Sequence, residues 1–570
     1  MAESASLSDL DRRAAAEARR LAARAHDAQS SLAELGQERI DRIVAAMADT
    51  AAHHAEELAA AAVAETGFGV LADKVSKNLF AARRVYEFIR PMKTVGVLRR
   101  IQDRRVVEIA EPFGVVAAVV PSTNPTSTAI YKLLIAMKAR CAIVISPHPA
   151  AADCIDRTVR LLETAARAAG APAGAISCMR SVTIAGTQEL MRHPRVAVIL
   201  ATGGMGLVRA AYSAGKPAYG VGPGNAPAYV ERSADVAKAV RDILAGKTFD
   251  NGLLCSSENS VVVDASIAEE VRREFEAQGA CFLDRQGTDA LARVLITPQR
   301  LPHPDLVGRG AVEIAERAGL QVPDGTRALI APLDGVGRDY PLSIEKLCPV
   351  LSYYVVEDWR EGCERCRQVL RYGGLGHTMA IHSRDEAVIQ EFALGKPAFR
   401  IVVNTPATLG SIGMTTGLEP SMTLGCGGYG GNVTSDNISP RHLLNVKRLA
   451  YETRTASQAA ADLAARGAGE ARDRAAGPQA HPTGLDAGVV AERVATLLDA
   501  PRGTPAPDAS PPGAGAPAPD TGAESPVPFV CEDDVRAAIR ESRPIVIGER
   551  TIVTPAARDL AEPHGVFLRR

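Results

Sequence analysis

Apolar positions recur at three- and four-residue spacings through residues 7–90, among Ala, Leu, Glu and Arg. That period predicts several packed helices. Beyond them the runs shorten: "VGVLRRIQDRRVVEIAEP" and "GVVAAVVPSTNP" read as strands, the first charged enough for an edge or arm. From there to about residue 230, apolar runs alternate with helical stretches. "CAIVISPHP", "AISCMRS" and "VAVILATGG" each end at a Gly, Pro or Ser turn. Uniformly apolar strands alternating with helices predict a parallel sheet covered on both faces. Residues 231–425 repeat the alternation after the Gly-rich "YGVGPGNAP", which predicts a second α/β domain. "SMTLGCGGYGGN" marks another Gly-rich loop near the end of this region.

The pattern changes after about residue 455. Residues 501–528 hold nine prolines among 28 positions, the composition of a disordered linker. Before it, "GLDAGVVAERVATLLDA" (484–500) predicts one amphipathic helix with Leu485, Val489, Val490, Val494, Leu497 and Leu498 along one side. After it, residues 531–566 predict a helix, a hairpin and another helix.

Composition narrows the function classes. At 570 residues the chain exceeds one ordinary core, so two to four structural units are expected. With 65 basic and 66 acidic residues the net charge is −1, and no global field recruits nucleic acid or an anionic membrane. Ten cysteines are sparse and irregular; Cys363 and Cys366 form a CxxC, but no second pair stands at zinc-site spacing, so no metal is expected. A reduced cytoplasmic compartment follows. The start carries acids among its arginines without an apolar core, unlike a signal or transit peptide, and no run approaches the eighteen or so apolar residues of a membrane span.

Three segments carry candidate chemistry. In "KTFDNGLLCSSENSVVVD" (247–264), Cys255 follows an Asn-Gly turn and precedes a β-branched run, the place of a nucleophile at a strand mouth or of a buried small residue. "VVPSTNPTST" ends a strand at Asn124, whose amide suits a developing oxyanion, though Asn-Pro is also an ordinary turn dipeptide. "ATGGMG" (201–206) ends a strand at a turn where backbone N–H groups suit a pyrophosphate; GxGxxG itself is absent.

Taken together, several segments resemble the CoA-acylating branch of the aldehyde dehydrogenase superfamily. That branch includes the aldehyde half of aldehyde–alcohol dehydrogenases and the aldehyde dehydrogenases of catabolic microcompartments. The segments are "EPFGVVAAVVPSTNPTSTAIYKLLIAMKARCAIVISPHP", "LATGGMGLVRAAYSAGKPAYGVGPGNAP", "KTFDNGLLCSSENSVVV", "EKLCPVL", "GLGHT" and "RIVVNTPATLGSIG…SMTLGCGGYGGN". They stand in family order over roughly residues 30–450. The resemblance implies an α/β fold with a Rossmann-type cofactor domain, an α/β catalytic domain, a β-arm for oligomerisation and a partly disordered C-terminal extension. The corresponding boundaries are 1–228 (N-terminal helices and cofactor domain), 229–427 (catalytic domain) and 428–455 (return to the cofactor and oligomerisation region). Residues 456–530 are then the linker with its helix, and 531–570 a small C-terminal module.

The resemblance also implies site roles. Cys255 matches the nucleophile, and Asn124 with the backbone N–H of Cys255 the oxyanion hole. Thr202, Gly203 and Gly204 fall in the cofactor-phosphate turn. Ser146 and His148 replace a lysine-bearing segment that contacts the adenosine ribose in hydrolytic relatives. Glu345 matches the glutamate that holds the nicotinamide ribose, with Leu347 flanking the nicotinamide. His377 in "GLGHT" stays open between a site role and a packed core position.

One departure indicates the reaction. Hydrolytic members carry a general-base glutamate in an "ELGG"-like segment, and here that position falls at Val221 in "GVGPGNAP". An alkyl group takes no proton from water, which costs hydrolysis a factor on the order of 10²–10⁴, whereas a thiol needs less help. The expected reaction joins a short-chain aldehyde of the acetaldehyde or propionaldehyde class with CoA and NAD, reversibly, through a cysteine thioester. NAD is favoured over NADP because "SPHPAAAD" offers no Arg or Lys to a 2′-phosphate. Alternatives are a CoA-acylating sulfoacetaldehyde dehydrogenase and a non-catalytic microcompartment scaffold. The 484–500 helix resembles encapsulation peptides, which implies a shell-protein partner and a place inside a bacterial microcompartment; an oligomer brace is the other reading. A homodimer or homotetramer is expected.

Overall fold

In the computed structural model, residues 8–463 and most of 527–569 are described. The chain divides into two units, Met1–Ala460 and Ala461–Arg570. The helix expected at 484–500 and the Pro-rich segment lie outside the described residues.

The first unit opens with helices Asp9–Ala33, Gln37–His53, Ala55–Thr66 and Leu71–Leu79, as the 3.6-residue period predicts. The first is capped by Ser8, whose hydroxyl accepts from Asp11 N–H. Fifteen strands follow among the described residues of this unit. In chain order β1 is Gly96–Ile101, β2 Val106–Pro112, β3 Val115–Val120, β4 Ile143–Pro147 and β5 Ile176–Cys178. β6 is Val196–Thr202, β7 Ala218–Val221, β8 Ala226–Val230, β9 Glu258–Asp264 and β10 Ala280–Phe282. β11 is Ala328–Pro332, β12 Val350–Val356, β13 Gly376–His382, β14 Ala398–Val403 and β15 Leu444–Ala450.

Two parallel sheets organise these strands. The first runs β5-β4-β3-β6-β7. Every residue of β3 is buried, as its unbroken apolar run requires in a sheet covered on both faces. Chain order reverses between β3 and β6, so the crevice beyond their C-terminal ends is the switch point where open α/β sheets bind ligands. Helix Pro125–Lys138 crosses under this crevice and is buried along its whole length. Its Lys132 ammonium donates to the carbonyls of Val119 (2.7 Å) and Leu200 (3.0 Å), pinning the helix to both switch strands.

The second sheet runs β10-β11-β12-β9-β8-β13-β14, again parallel throughout. A separate antiparallel sheet, β1-β2-β15, is the charged arm that the sequence pattern anticipates. β15 is solvent-exposed from Asn445 to Ala450. No helix among the described residues is long and apolar enough to cross a membrane.

The second unit holds helix Glu532–Glu541 over a small core that includes Val530, Val535, Ile545 and Val566. The expected hairpin does not form. Ile545–Ile547 pairs in parallel with Phe567–Arg569, and Ile552–Val553 in parallel with Phe529–Val530. Between them Thr551 N–H donates to Gly548 O (3.1 Å), and the Thr551 hydroxyl donates to Val527 O (2.6 Å), which sends the second strand to a different partner. The second expected helix falls largely outside the described residues.

Candidate active site

The C-terminal edge of the first sheet and the N-terminal edge of the second meet at a cavity of about 750 Å³. Cys255, Asn124, Thr202, Gly203, Gly204, His148, Glu345, Leu347 and Val221 all line it. Ser146 does not: it is fully buried, and its hydroxyl is bonded to that of Thr187 (2.8 Å), itself a lining residue. Its contribution to the cavity is thus through Thr187.

Strand order explains how distant residues converge. β9, β8 and β13 are consecutive neighbours, and just before or at their N-terminal ends stand Cys255, Gly224 and His377. His377 Nε2 is 3.2 Å from Cys255 Sγ, and its Nδ1 is 3.0 Å from Thr378 Oγ1. In the tautomer that accepts the thiol proton at Nε2, Nδ1–H donates to the Thr378 hydroxyl. Burial, with the Arg400 guanidinium nearby, lowers the imidazole to about 3, so the ring is neutral at working pH. Burial, then the Glu345 carboxyl, pushes the Cys255 thiol up to about 12, opposed by Arg400. The resting pair is therefore neutral on both sides.

Two glycines make this approach geometrically possible. A Cβ on Gly224 would lie 2.0 Å from the Cys255 carbonyl oxygen and 3.2 Å from the His377 ring. Gly376 has φ +75°, and a Cβ there would lie 1.9 Å from the Cys426 carbonyl oxygen. The Gly224 N–H donates to Glu345 Oε1 (2.9 Å), which ties the glutamate to the same loop. Burial raises this carboxyl to about 7. Leu347, two residues on, holds φ +50°, a left-handed conformation that costs an L-residue about 1–2 kcal/mol and fixes the wall of the cavity.

Asn124 caps helix Pro125–Lys138 by position but not by side chain. Instead its Nδ2 donates to Leu253 O (3.2 Å), two residues before the thiol, and to Thr123 Oγ1 (3.2 Å). Val221 ends β7 and is buried against the cavity, with no ionisable atom to offer a water.

The turn after β6 fits a dinucleotide phosphate. Helix Met205–Tyr212 begins at Gly204, so its first N–H groups lack helical partners. A Cβ added at Gly204 or Gly206 would meet no atom within 4 Å, which leaves room for a close ligand. Thr202 Oγ1 is buried with no hydrogen-bond partner among the described residues, an acceptor and donor left over by the fold. His148 bonds the Ala150 N–H through Nδ1 (3.1 Å) and is held below its usual pKa by burial.

His377, left open between a site role and a packed position by the sequence, lies against Cys255 Sγ; Arg400, whose charge acts on both, and Lys77, whose Nζ reaches Asn124 Oδ1, were not singled out. The histidine sits in a strand entry that packs either way, and the lysine's only signal is its pairing with Lys74 one helical turn back.

The model of the aldehyde dehydrogenase family matches residues 2–417. Bifunctional aldehyde-alcohol dehydrogenase AdhE of Escherichia coli (strain K12) is 42% identical over 440 residues, covering 76% of this chain and 49% of the relative. The chain thus spans about half the length of that relative. The crystal structure of an acetylating aldehyde dehydrogenase from Geobacillus thermoglucosidasius is 50% identical with a TM-score of 0.77, covering 79% of this chain and 99% of that one. A propionaldehyde dehydrogenase from the Clostridium phytofermentans fucose utilisation bacterial microcompartment is 27% identical with a TM-score of 0.68, covering 76% and 97%. The extent of the family match over both sheets settles the classification: this chain belongs to the aldehyde dehydrogenase family.

Proposed function

We propose that the protein oxidises a short-chain aldehyde to its acyl-CoA with NAD, through a thioester on Cys255, and runs the reverse reaction as well. The observation that carries this reading is a thiol–imidazole pair in a cavity whose expected water-activating position is Val221. Cys255 Sγ attacks the carbonyl carbon while its proton moves to His377 Nε2. The carbonyl oxygen becomes an oxyanion between the Cys255 backbone N–H and an Asn124 Nδ2–H, which gives up one of its 3.2 Å bonds, to Thr123 Oγ1 or Leu253 O, to reach it. When bound, the dinucleotide supplies the hydride acceptor. Cys255 is left as an acyl thioester, and with Val221 at the position of the water-activating glutamate, the acyl group passes to the CoA thiol. Thr202, the Gly203–Gly204 turn, His148 and Glu345 are the residues suited to hold the dinucleotide. A mix of purified protein, aldehyde panel, NAD or NADP, with and without CoA, tests this by following reduced cofactor and acyl-CoA. CoA-independent carboxylate as the main product would overturn it.

We further infer a homo-oligomer built on open strand edges. β14 and β15 each end a sheet, and among the described residues each is unpaired on one side. Phe399 and Val403 on β14, and Val446 and Leu449 on β15, are exposed apolar side chains suited to strand addition between protomers. The apolar stripe in the sequence of 484–500 supports shell docking, and with it a location inside a bacterial microcompartment in the cytoplasm.

A further inference from the structure

Behind Asn124 lies a buried cluster that the reaction as described does not use. Lys74 and Lys77, one turn apart on helix Leu71–Leu79, both converge on Asp250, which lies five residues before Cys255. All three are buried to 2% exposure or less. Lys74 Nζ is 3.1 Å from Asp250 Oδ2 and also donates to Thr123 O (3.3 Å), while Lys77 makes a close ion pair with the same carboxylate oxygen. The other oxygen of Asp250 accepts from Val70 N–H (2.7 Å), and Asp73 accepts from Asp250 N–H (2.8 Å). Asp250 and Asn251 both take left-handed backbone conformations, φ +49° and +54°.

Burying such a cluster is costly, and a well-hydrogen-bonded buried ion pair seldom adds net stability over an apolar replacement. Its geometry bears on position instead. Lys77 Nζ lies 2.5 Å from Asn124 Oδ1. An ammonium can only donate, so the atom facing it must be the amide oxygen. That decides the orientation of Asn124 by chemistry: its NH₂ is turned to the opposite side, where it already reaches Leu253 O on the nucleophile loop. A cation on the oxygen also draws electron density from the amide and strengthens its N–H as a donor.

We propose that Lys77 is a positioning residue for the oxyanion hole: its ammonium, held by Asp250, fixes and polarises the Asn124 amide toward the oxyanion that forms at Cys255. This rests on reading Cys255 as the nucleophile. Because Asp250 lies on the same loop as Cys255, one carboxylate registers the nucleophile and the oxyanion donor against each other.

A double-mutant cycle tests the proposal, with the single-turnover burst of NADH, in the absence of CoA, as the readout. Asn124→Ala should slow the burst by about 10²–10³-fold, the usual loss on removing one oxyanion donor. Lys77→Met should slow it about 10-fold or more, with little change in the aldehyde KM. Lys77→Arg, which keeps the charge, should recover part of the loss. In the Asn124→Ala background, Lys77→Met should change the rate less than about twofold, because its route of action is gone. An equal loss in both backgrounds would make Lys77 merely structural and overturn the proposal, as would a wild-type burst in Lys77→Met. If Lys77→Met does not fold, Lys77→Gln, which keeps a shorter neutral donor, takes its place in the same cycle. A Cys255→Ala control separates the two readings: activity without the thiol would remove the nucleophile assignment itself, whatever Lys77 does.

Discussion

Cys255 Sγ and His377 Nε2 lie 3.2 Å apart although 122 residues separate them in the chain. The contact exists because β9 and β13 flank β8 in one sheet and present their N-terminal ends together. A neutral imidazole beside a neutral thiol is a proton acceptor that acts only as the carbon–sulfur bond forms. Cys255→Ala should abolish acyl-CoA formation and leave NAD binding near normal, as read by calorimetry. His377→Ala should keep NAD binding too, but slow the NADH burst by about 10²–10⁴-fold, the usual contribution of a general base. A burst at the wild-type rate in His377→Ala would assign the ring to packing alone.

Val221 predicts a stalled enzyme. Without CoA, the protein should release about one equivalent of NADH per site and stop, because Val221 leaves no carboxylate at the position from which hydrolytic relatives activate water. Val221→Glu should raise CoA-independent carboxylate formation, measured by product chromatography. Continuous CoA-free turnover by the unaltered chain at its CoA-dependent rate would contradict the acylating assignment.

A second buried histidine sets a pH dependence of stability. His382, at the end of β13, is lowered to about 3 by burial and by the Lys238 charge. The unfolded chain protonates it near 6.5, so between these values the unfolded state holds the extra proton and stability falls as pH falls. From pH 7 to pH 5 this one site should cost the wild type about 2 kcal/mol. His382→Asn should therefore lose less stability than wild type over that interval, seen as a smaller drop in urea midpoint. Parallel curves for the two proteins would show that the site does not titrate as its burial requires.

The open edges make the oligomer sensitive to charge. Phe399→Asp on β14 or Val446→Glu on β15 places a carboxylate where strand addition would bury it. Either change should shift the protein from dimer or tetramer to monomer in light scattering. An unchanged mass in both variants would move the interface elsewhere.

Removing the chain after about residue 460 should leave specific activity close to normal, since every lining residue of the cavity precedes that point. The truncated protein should no longer co-purify with shell particles. Fusing 484–500 to an inert fluorescent protein should restore co-purification, and Glu at Val490, Val494 and Leu497 should abolish it. Loss of activity or of oligomeric state on truncation would make the tail a brace instead.

The parts of this site that local pattern carries are those whose neighbours lie close in sequence. Cys255 between its turn and strand and the "ATGGMG" turn both line the cavity, whereas Val221, which lines it too, takes its meaning from the family resemblance rather than from local pattern. Ser146 illustrates the limit. Its position at the end of β4 is readable, but whether its hydroxyl faces the cavity or Thr187 depends on a helix that starts at Ile184. Lys77 is further out of reach: it lies on an Ala- and Leu-rich helical stretch, and its meaning comes from Asn124 and Asp250, 47 and 173 residues away. The hairpin expected near residue 548 failed for a related reason, since two short apolar runs around a turn pair with each other only if no better edge is near.

Gly376 gives the catalytic region an unusual genetic signature. Its left-handed φ and the Cys426 carbonyl 1.9 Å from any added Cβ exclude all nineteen other side chains for one reason, regardless of polarity or size. In a saturation library selected for growth on an aldehyde, codon 376 should come back as glycine alone. Neighbouring codon 377 should discriminate by chemistry instead. A directed-evolution campaign that seeks new substrates would therefore do better to vary the cavity walls, and leave untouched the glycine that delivers the histidine.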